Sequence, residues 1–302
     1  MKSERQSLLF PDSSEVPEYN ATPQSVGEFR EMVLAYYHRH SRDLPWRRTT
    51  DPYSVLVSEI MLQQTQVERV AQKYPQFIEA FPDFSSLAVA PLPDLLAVWQ
   101  GMGYNRRALS LNGCAVRVME EYGGELPPDP DILATFPGIG RATASSICAF
   151  AFNMPAVFIE TNIRRVFIHY FFRDCAIVTD KEIVPLVEQA LYRENPRQWY
   201  NALMDLGTDL KKQVPNPNRR SAAYSRQPAF EGSDRKIRGN IIRILLKHPE
   251  ISQEDIVRLT DSEPERIMRI LRDLETDGFL IHDPDGVRLC AGKVPHQKNP
   301  VE

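Results

Sequence analysis

Two carboxylates and a glycine turn are the residues of this chain whose types and spacing suit chemistry. Glu59 lies in SEIMLQQTQV beside Ile60, Met61 and Leu62, and helical spacing puts Glu59 and Gln63 on adjacent turns. A glutamate stripped of water by apolar neighbours has a raised pKa and becomes a candidate proton donor near neutral pH; a solvated glutamate on a surface face is the alternative. Glu160 stands where Thr161 and Asn162 open a helix, so the positive end of the helix dipole favours its ionised form; the alternative is that it serves only as a helix cap. Between them lies FPGIG. Its Gly138 and Gly140 can take φ > 0 and expose N–H groups at the start of the run Arg141 to Phe152, which makes an anion site or simply a tight turn.

A third group sits in WQGMGYNRRAL. Tyr104 after a Gly-Met-Gly turn can stack on or wedge between bases, with Arg106 and Arg107 on phosphate; equally, Tyr104 can pack inside a helix start. The loop from Leu44 to Pro52 adds Trp46 and Arg47.

The elements that must position these groups read as helices. Val26, Phe29, Met32, Val33 and Tyr36 fall on one helical face, and further helical patterns run from Tyr53, across 73–126 as three short helices broken by Pro75, Pro82, Pro91 and Pro93, and over 181–192 and 199–210. The main body is therefore expected to be all-α. Residues 1–22 read as a flexible arm, 23–210 as the main domain, 211–234 as a basic proline-rich strap, 235–291 as a small module and 292–302 as a tail. In that module three helices precede a hairpin at Asp283 to Gly286, a winged-helix-like order. Its would-be recognition helix carries Glu263, Glu265, Asp273, Glu275 and Asp277 against Arg266, Arg269 and Arg272, which disfavours groove insertion and marks it as a packing element or the site of a protein partner.

The net charge of −4 gives no whole-molecule basic signature. Lys211 to Arg238, however, holds eight basic residues against Glu231 and Asp234, a local +6 in a chain otherwise at −10. Cys114, Cys148, Cys175 and Cys290 are too scattered for a zinc, iron–sulfur or disulfide framework. No stretch approaches 18 uncharged apolar residues and no secretory core stands at the N-terminus, so a cytoplasmic protein without membrane contact is expected.

Taken together, LPWRR, DPYSVLVSEIMLQQTQV, WQGMGYNRRAL, FPGIGRATASSI, FIETNIRRV and ALMDLG resemble the helix-hairpin-helix base-excision DNA glycosylases, nearest the A/G-specific adenine branch, over roughly Leu44 to Gly207. The resemblance implies two helical lobes with a cleft between them, double-stranded DNA with a mispaired or damaged base as partner, and hydrolysis of the N-glycosidic bond of a flipped adenine. By the same resemblance Glu59 is the general acid and Gln64 fills the gap in the duplex. Arg47 and Tyr104 line the base pocket or wedge the helix, and Gly138 and Gly140, with Arg141 following, grip phosphate. Glu160 stands in place of the family's aspartate facing the sugar, with Asn162 beside it, and Ala142 replaces the lysine of strand-cutting relatives, which implies a monofunctional enzyme.

Three departures follow from the same comparison of motifs. Aspartate has become Glu160. The four-cysteine iron–sulfur loop is missing after ALMDLG, where the extended strap either wraps on the body or lies along a phosphate backbone, Arg219 and Arg220 then taking over phosphate contacts. The family's reader of the opposite 8-oxoguanine is replaced by the winged-helix-like module. Excision of another base (uracil, mismatched thymine, a damaged pyrimidine) and a non-catalytic lesion sensor are the competing readings.

Overall fold

Ser25 opens the first helix by accepting a hydrogen bond from the Glu28 N–H, and α1 (Val26–His40) follows with Phe29, Val33 and Tyr36 buried. The structure is a computed structural model that describes residues 23–225, 230–260, 262–283 and 286–290. The expected arm at 1–22 and tail at 292–302, like Arg226 of the strap, lie outside the described residues. Asp51 caps α2 (Pro52–Leu62) with Pro52 at its first position. This helix ends with its apolar run at Leu62; Gln63 is its C-cap, and Gln64 turns to φ 53 before α3 (Val67–Ala80) begins. Pro75 does not break α3 as expected from sequence; burial of Val70, Tyr74 and Phe77 outweighs the roughly 3 kcal/mol an interior proline costs.

Short helices α4 (Phe84–Ala88) and α5 (Leu92–Trp99) lead to the long α6 (Arg106–Glu121), then α7 (Pro130–Leu133) and α8 (Arg141–Phe152). Next come α9 (Thr161–Phe171), α10 (Asp180–Ala190) and α11 (Pro196–Gln213). Lys211 and Lys212 close α11, so the basic stretch begins as helix; beyond it Pro217–Arg220 form one 3-10 turn. The chain ends in α12 (Asp234–Lys247), α13 (Gln253–Leu259) and α14 (Pro264–Thr276), followed by an antiparallel hairpin of β1 (Leu280–Asp283) and β2 (Gly286–Leu289) with Leu280 opposite Leu289. Apart from this hairpin and two isolated bridges, the described residues carry no strand, the all-α architecture expected.

Two compact units result, neither continuous in sequence. One joins the described residues up to Arg42 with Ile159–Tyr224. Its core is aromatic: Phe29 of α1 lies edge-on to Phe167 of α9 and Trp199 of α11, with ring centroids 5.3 and 6.0 Å apart. The other joins Asp43–Phe158 with the described residues from Ser225 onward. Here Trp99, Phe77, Leu111 and Ile147 share one apolar cluster with Ile237 and Ile241 of α12. Among the described residues no helix is long and apolar enough to cross a membrane.

Candidate active site

Glu59 sits on the last turns of α2, half-buried, and its Oε2 accepts a hydrogen bond of 2.5 Å from the Ser146 hydroxyl on α8. Ser146 is itself buried, with its hydroxyl also turned to the Thr143 carbonyl at 2.9 Å. A second tie lies nearby: Gln63 Nε2 donates to the Gly138 carbonyl at 3.2 Å. The carboxylate-bearing helix and the glycine hairpin are thus held as one piece.

Within that hairpin the two glycines differ. Gly138 does take a positive φ of 70, and a Cβ there would lie 2.7 Å from Ser110, so only glycine fits. Gly140, expected to do the same, is instead extended at φ −87 and serves as the N-cap of α8 without a side-chain cap. The first N–H groups of α8 therefore have no side chain of the cap residue across them, an arrangement that suits an anion. Arg141 and Ala142 follow, both exposed.

Arg107 does something the sequence did not suggest. Expected on phosphate, it is buried beneath two turns. Its guanidinium donates to the carbonyls of Ile60, Met61 and Gln63 at 2.8, 2.8 and 2.6 Å, to Thr65 Oγ1 at 2.9 Å, and to the carbonyls of Met102 and Gly103 at 3.3 and 3.1 Å. Burial pulls its pKa down to about 10. One cation thereby caps α2 and pins together the turns that carry Gln64 and Tyr104, two of the three described non-glycine residues with positive φ, at 53 and 47. Gln64 is exposed and Tyr104 half-buried. Arg106, also expected on phosphate, pairs with Asp277 at the end of α14 while its side chain stays largely exposed. Arg47 lies half-buried in a 3-10 turn beside Trp46, whose ring meets Tyr74 of α3 at 5.9 Å.

In the other unit, Glu160 is the N-cap of α9. Its Oε1 accepts from the N–H groups of Asn162 and Ile163 at 2.6 and 2.9 Å, while Oε2 lies 3.4 Å from Asn162 Nδ2. The capping role, one of the two readings of Glu160 from sequence, is thus present in the structure. Burial raises its pKa; the two amides, Arg165 and Arg164 act the other way, and the net direction is up. The helix start by itself implied an easily ionised group, and desolvation reverses that expectation.

Asn162 is fixed in turn. Arg165, only 4% exposed, donates to Asn162 Oδ1 at 2.7 Å and to the Gly207 carbonyl at 2.5 Å. Gly207 of α11 touches the first turn of α9 so closely that a Cβ would lie 2.6 Å from Asn162 O. Ser146, Arg165 and Gly207 were not singled out from sequence; of these, only a glycine inside the helical run ALMDLG carries a readable signal of close approach.

As far as Tyr224 the strap packs on the unit that holds Glu160. Asn218 Nδ2 donates to Thr161 O at 2.9 Å, and Ala222 N to Val178 O at 2.9 Å. Arg220, expected on phosphate, donates to the carbonyls of Phe172, Arg173, Cys175 and Ile168, closing the C-terminal end of α9. Its guanidinium is spent on these carbonyls, whereas Arg219 beside it is exposed. The strap offers no thiolate: 208–225 contain no cysteine, which does not fit a cluster there, and among the described residues no group of three or more His, Cys, Asp or Glu could hold a metal.

Comparison with known proteins meets this geometry from outside. Residues 57–187 match the family described as "HhH-GPD superfamily base excision DNA repair protein". The adenine DNA glycosylase of Mycobacterium tuberculosis (strain ATCC 25618 / H37Rv) is 32% identical over 295 residues, covering 90% of this chain and 96% of that protein. The adenine DNA glycosylase of Homo sapiens is 34% identical over 197 residues, 61% of this chain and 36% of that one. Among solved structures, a thermostable thymine-DNA glycosylase superposes with a TM-score of 0.54 at 26% identity, over 60% of this chain and 85% of its own. Endonuclease III in a non-covalent DNA complex shares the fold, with a TM-score of 0.54 at 20% identity over 63% and 90%. The chain belongs to the HhH-GPD superfamily of base excision DNA repair proteins and, within it, to the adenine DNA glycosylases.

Proposed function

We propose that the protein is a monofunctional DNA glycosylase that hydrolyses the N-glycosidic bond of a mispaired adenine extruded from the duplex. The observation that carries this reading is the fastening of Glu59 to the helix of the glycine hairpin through Ser146, so that phosphate grip and acid belong to one rigid piece. Glu59 in its protonated form gives a proton to a purine nitrogen as the bond from that base to the sugar C1′ breaks. The electron pair leaves with the base, and positive charge grows on the sugar. Glu160 is the counterpart: a half-buried carboxylate, partly stripped of water and fixed by two amides, attracts that charge more strongly than a fully hydrated one would. Water then bonds to C1′ and loses a proton, leaving free adenine and an abasic site.

Gln64 and Tyr104 are assigned to the space the base leaves, with Gly138, Gly140 and Arg141 on phosphate and Arg47 at the base pocket. Unstacking costs a few kcal/mol, which these contacts offset. Ala142 offers no amine for a covalent sugar adduct, and we expect no iron–sulfur cluster, the strap taking its place. A panel of duplexes with single mispairs, treated with protein and then alkali, tests the proposal. Strand breaks at adenine in A-containing mispairs are expected, no complex is trapped by borohydride, and Glu59→Gln abolishes product. Breaks at thymine instead would favour a second reading, which the likeness to a thymine-DNA glycosylase supports; no breaks at all would refute both.

A further inference from the structure

Tyr104 is held from both sides. A non-glycine residue at φ 47 costs about 1–2 kcal/mol, so its surroundings must impose it. On one side is Arg107, its guanidinium 5.6 Å from the ring centroid and bonded to the preceding carbonyls of Met102 and Gly103. The other side belongs to the C-terminal helices. Arg235, in the first turn of α12, donates through Nη1 to the Tyr104 hydroxyl and lays its guanidinium 4.8 Å from the centroid of the same ring. Exposed Phe230 meets that guanidinium from its own ring at 5.2 Å.

Two residues along the chain, the same turn is fastened again. Arg106 donates through Nε to Asp277 Oδ2 at 2.9 Å, and Arg238 of α12 reaches the same carboxylate. Asp277 is 5% exposed, so the shared carboxylate is buried beneath its two arginines. Meanwhile two of the arginines on α14 that could face a duplex, Arg266 and Arg269, are both bonded to Asp234. Within the C-terminal segment it is thus Arg235, and Arg238 through Asp277, that are turned toward the Tyr104 turn.

From this geometry we infer that the C-terminal segment is a working part of base extrusion, with Arg235 the positioning residue that locks Tyr104. The inference rests on the reading above in which Tyr104 enters the duplex. A ring driven between stacked bases must resist a load of a few kcal/mol. If the ring can swing aside, the load moves the tyrosine and leaves the duplex stacked. Clamped by a hydrogen bond and by a cation on its face, the ring transmits the load to the bases.

The test compares Arg235→Ala and Arg235→Lys with the intact chain. Hydrogen exchange at 101–107 is expected to quicken about tenfold or more in Arg235→Ala at unchanged melting temperature. Single-turnover release of adenine from an A:G duplex should fall about tenfold, with a loss of less than about threefold when the adenine faces an abasic analogue and little stacking must be broken. Arg235→Lys should restore part of the rate. Tyr104→Phe, which keeps the ring but removes the hydroxyl, should show a smaller gain in exchange at the same residues. Unchanged exchange in Arg235→Ala overturns the inference, and so do equal losses on the two substrates. Absence of any release by the intact protein would defeat the proposed function instead, with the exchange result still deciding whether Arg235 locks the turn.

Discussion

Replacing Gly207 by alanine should damage chemistry far more than it damages the fold. The added Cβ would stand 2.6 Å from both Asn162 Cβ and Asn162 O and 2.9 Å from Asn162 C. Since carbon atoms rest about 3.5–4.0 Å apart, the first turn of α9 must retreat by roughly 1 Å. That turn bears Glu160 as its cap, and the retreat also strains the Arg165 bridge between Gly207 O and Asn162 Oδ1. Overpacking costs about 1–3 kcal/mol, from which the better helix propensity of alanine recovers about 1 kcal/mol, so the net loss is about 0–2 kcal/mol. A catalytic group misplaced by about 1 Å, by contrast, loses about 100-fold in rate. Urea unfolding supplies the first quantity and single-turnover adenine release at saturating protein the second. Gly239→Ala in α12, where the new Cβ meets nothing within 4 Å, is the control and should gain up to about 1 kcal/mol at unchanged rate. A Gly207→Ala protein that is folded yet within about threefold of the parent rate would refute the argument that this close approach sets the position of Glu160.

Three further outcomes follow from the same geometry. Because burial raises the Glu160 carboxyl, the folded chain keeps that proton to higher pH than the unfolded chain, and stability falls as pH climbs from the ordinary carboxylate value through the raised one. Urea midpoints should therefore show Glu160→Gln gaining on the parent as pH rises through that interval and losing the advantage in acid. At Asp277 burial acts upward, but the bonds from Arg106 and Arg238 prevail and hold the pKa below its ordinary value, so its stabilisation is complete at neutral pH and lost as acid takes the group through that lowered pKa. Asp277→Asn should cost about 2 kcal/mol at neutral pH, less than a fully buried pair because the Arg106 side chain is 67% exposed, and should flatten the acid limb. Finally, Arg219→Ala should lower the salt slope of DNA binding by about one unit without changing stability, while Arg220→Ala should leave the slope intact and cost about 1–3 kcal/mol in urea unfolding.

What the sequence disclosed and what it withheld divide along a physical line. Helices were legible because each buries a periodic apolar face, and a capping residue such as Ser25 or Asp51 marks its start within a few positions. Arg107 was misjudged because a guanidinium looks the same in sequence whether it faces phosphate or the frayed carbonyls of a helix. The carbonyls it serves, at Ile60 and at Met102, are brought together only by folding. Arg220 repeats the error at the end of α9. Pro75 misled in the opposite sense, since local propensity was overridden by buried neighbours.

Glu160 shows why the sequence reading of its charge was half right. Short side chains usually cap helices because their oxygen sits one bond nearer the amides. Here the longer glutamate makes the same bonds from an extended backbone, φ −123 and ψ −179, and a single oxygen, Oε1, accepts both. The other oxygen is left beside the Asn162 amide, which Arg165 and Gly207 hold in turn. The dipole that favours the anion and the burial that opposes it thus act on one carboxylate, and only the first is visible in a linear string of residues. A charge that is anchored but poorly solvated is stabilised most by a positive charge arriving next to it, and in the reaction proposed above an oxocarbenium-like sugar would supply that charge only as the glycosidic bond breaks.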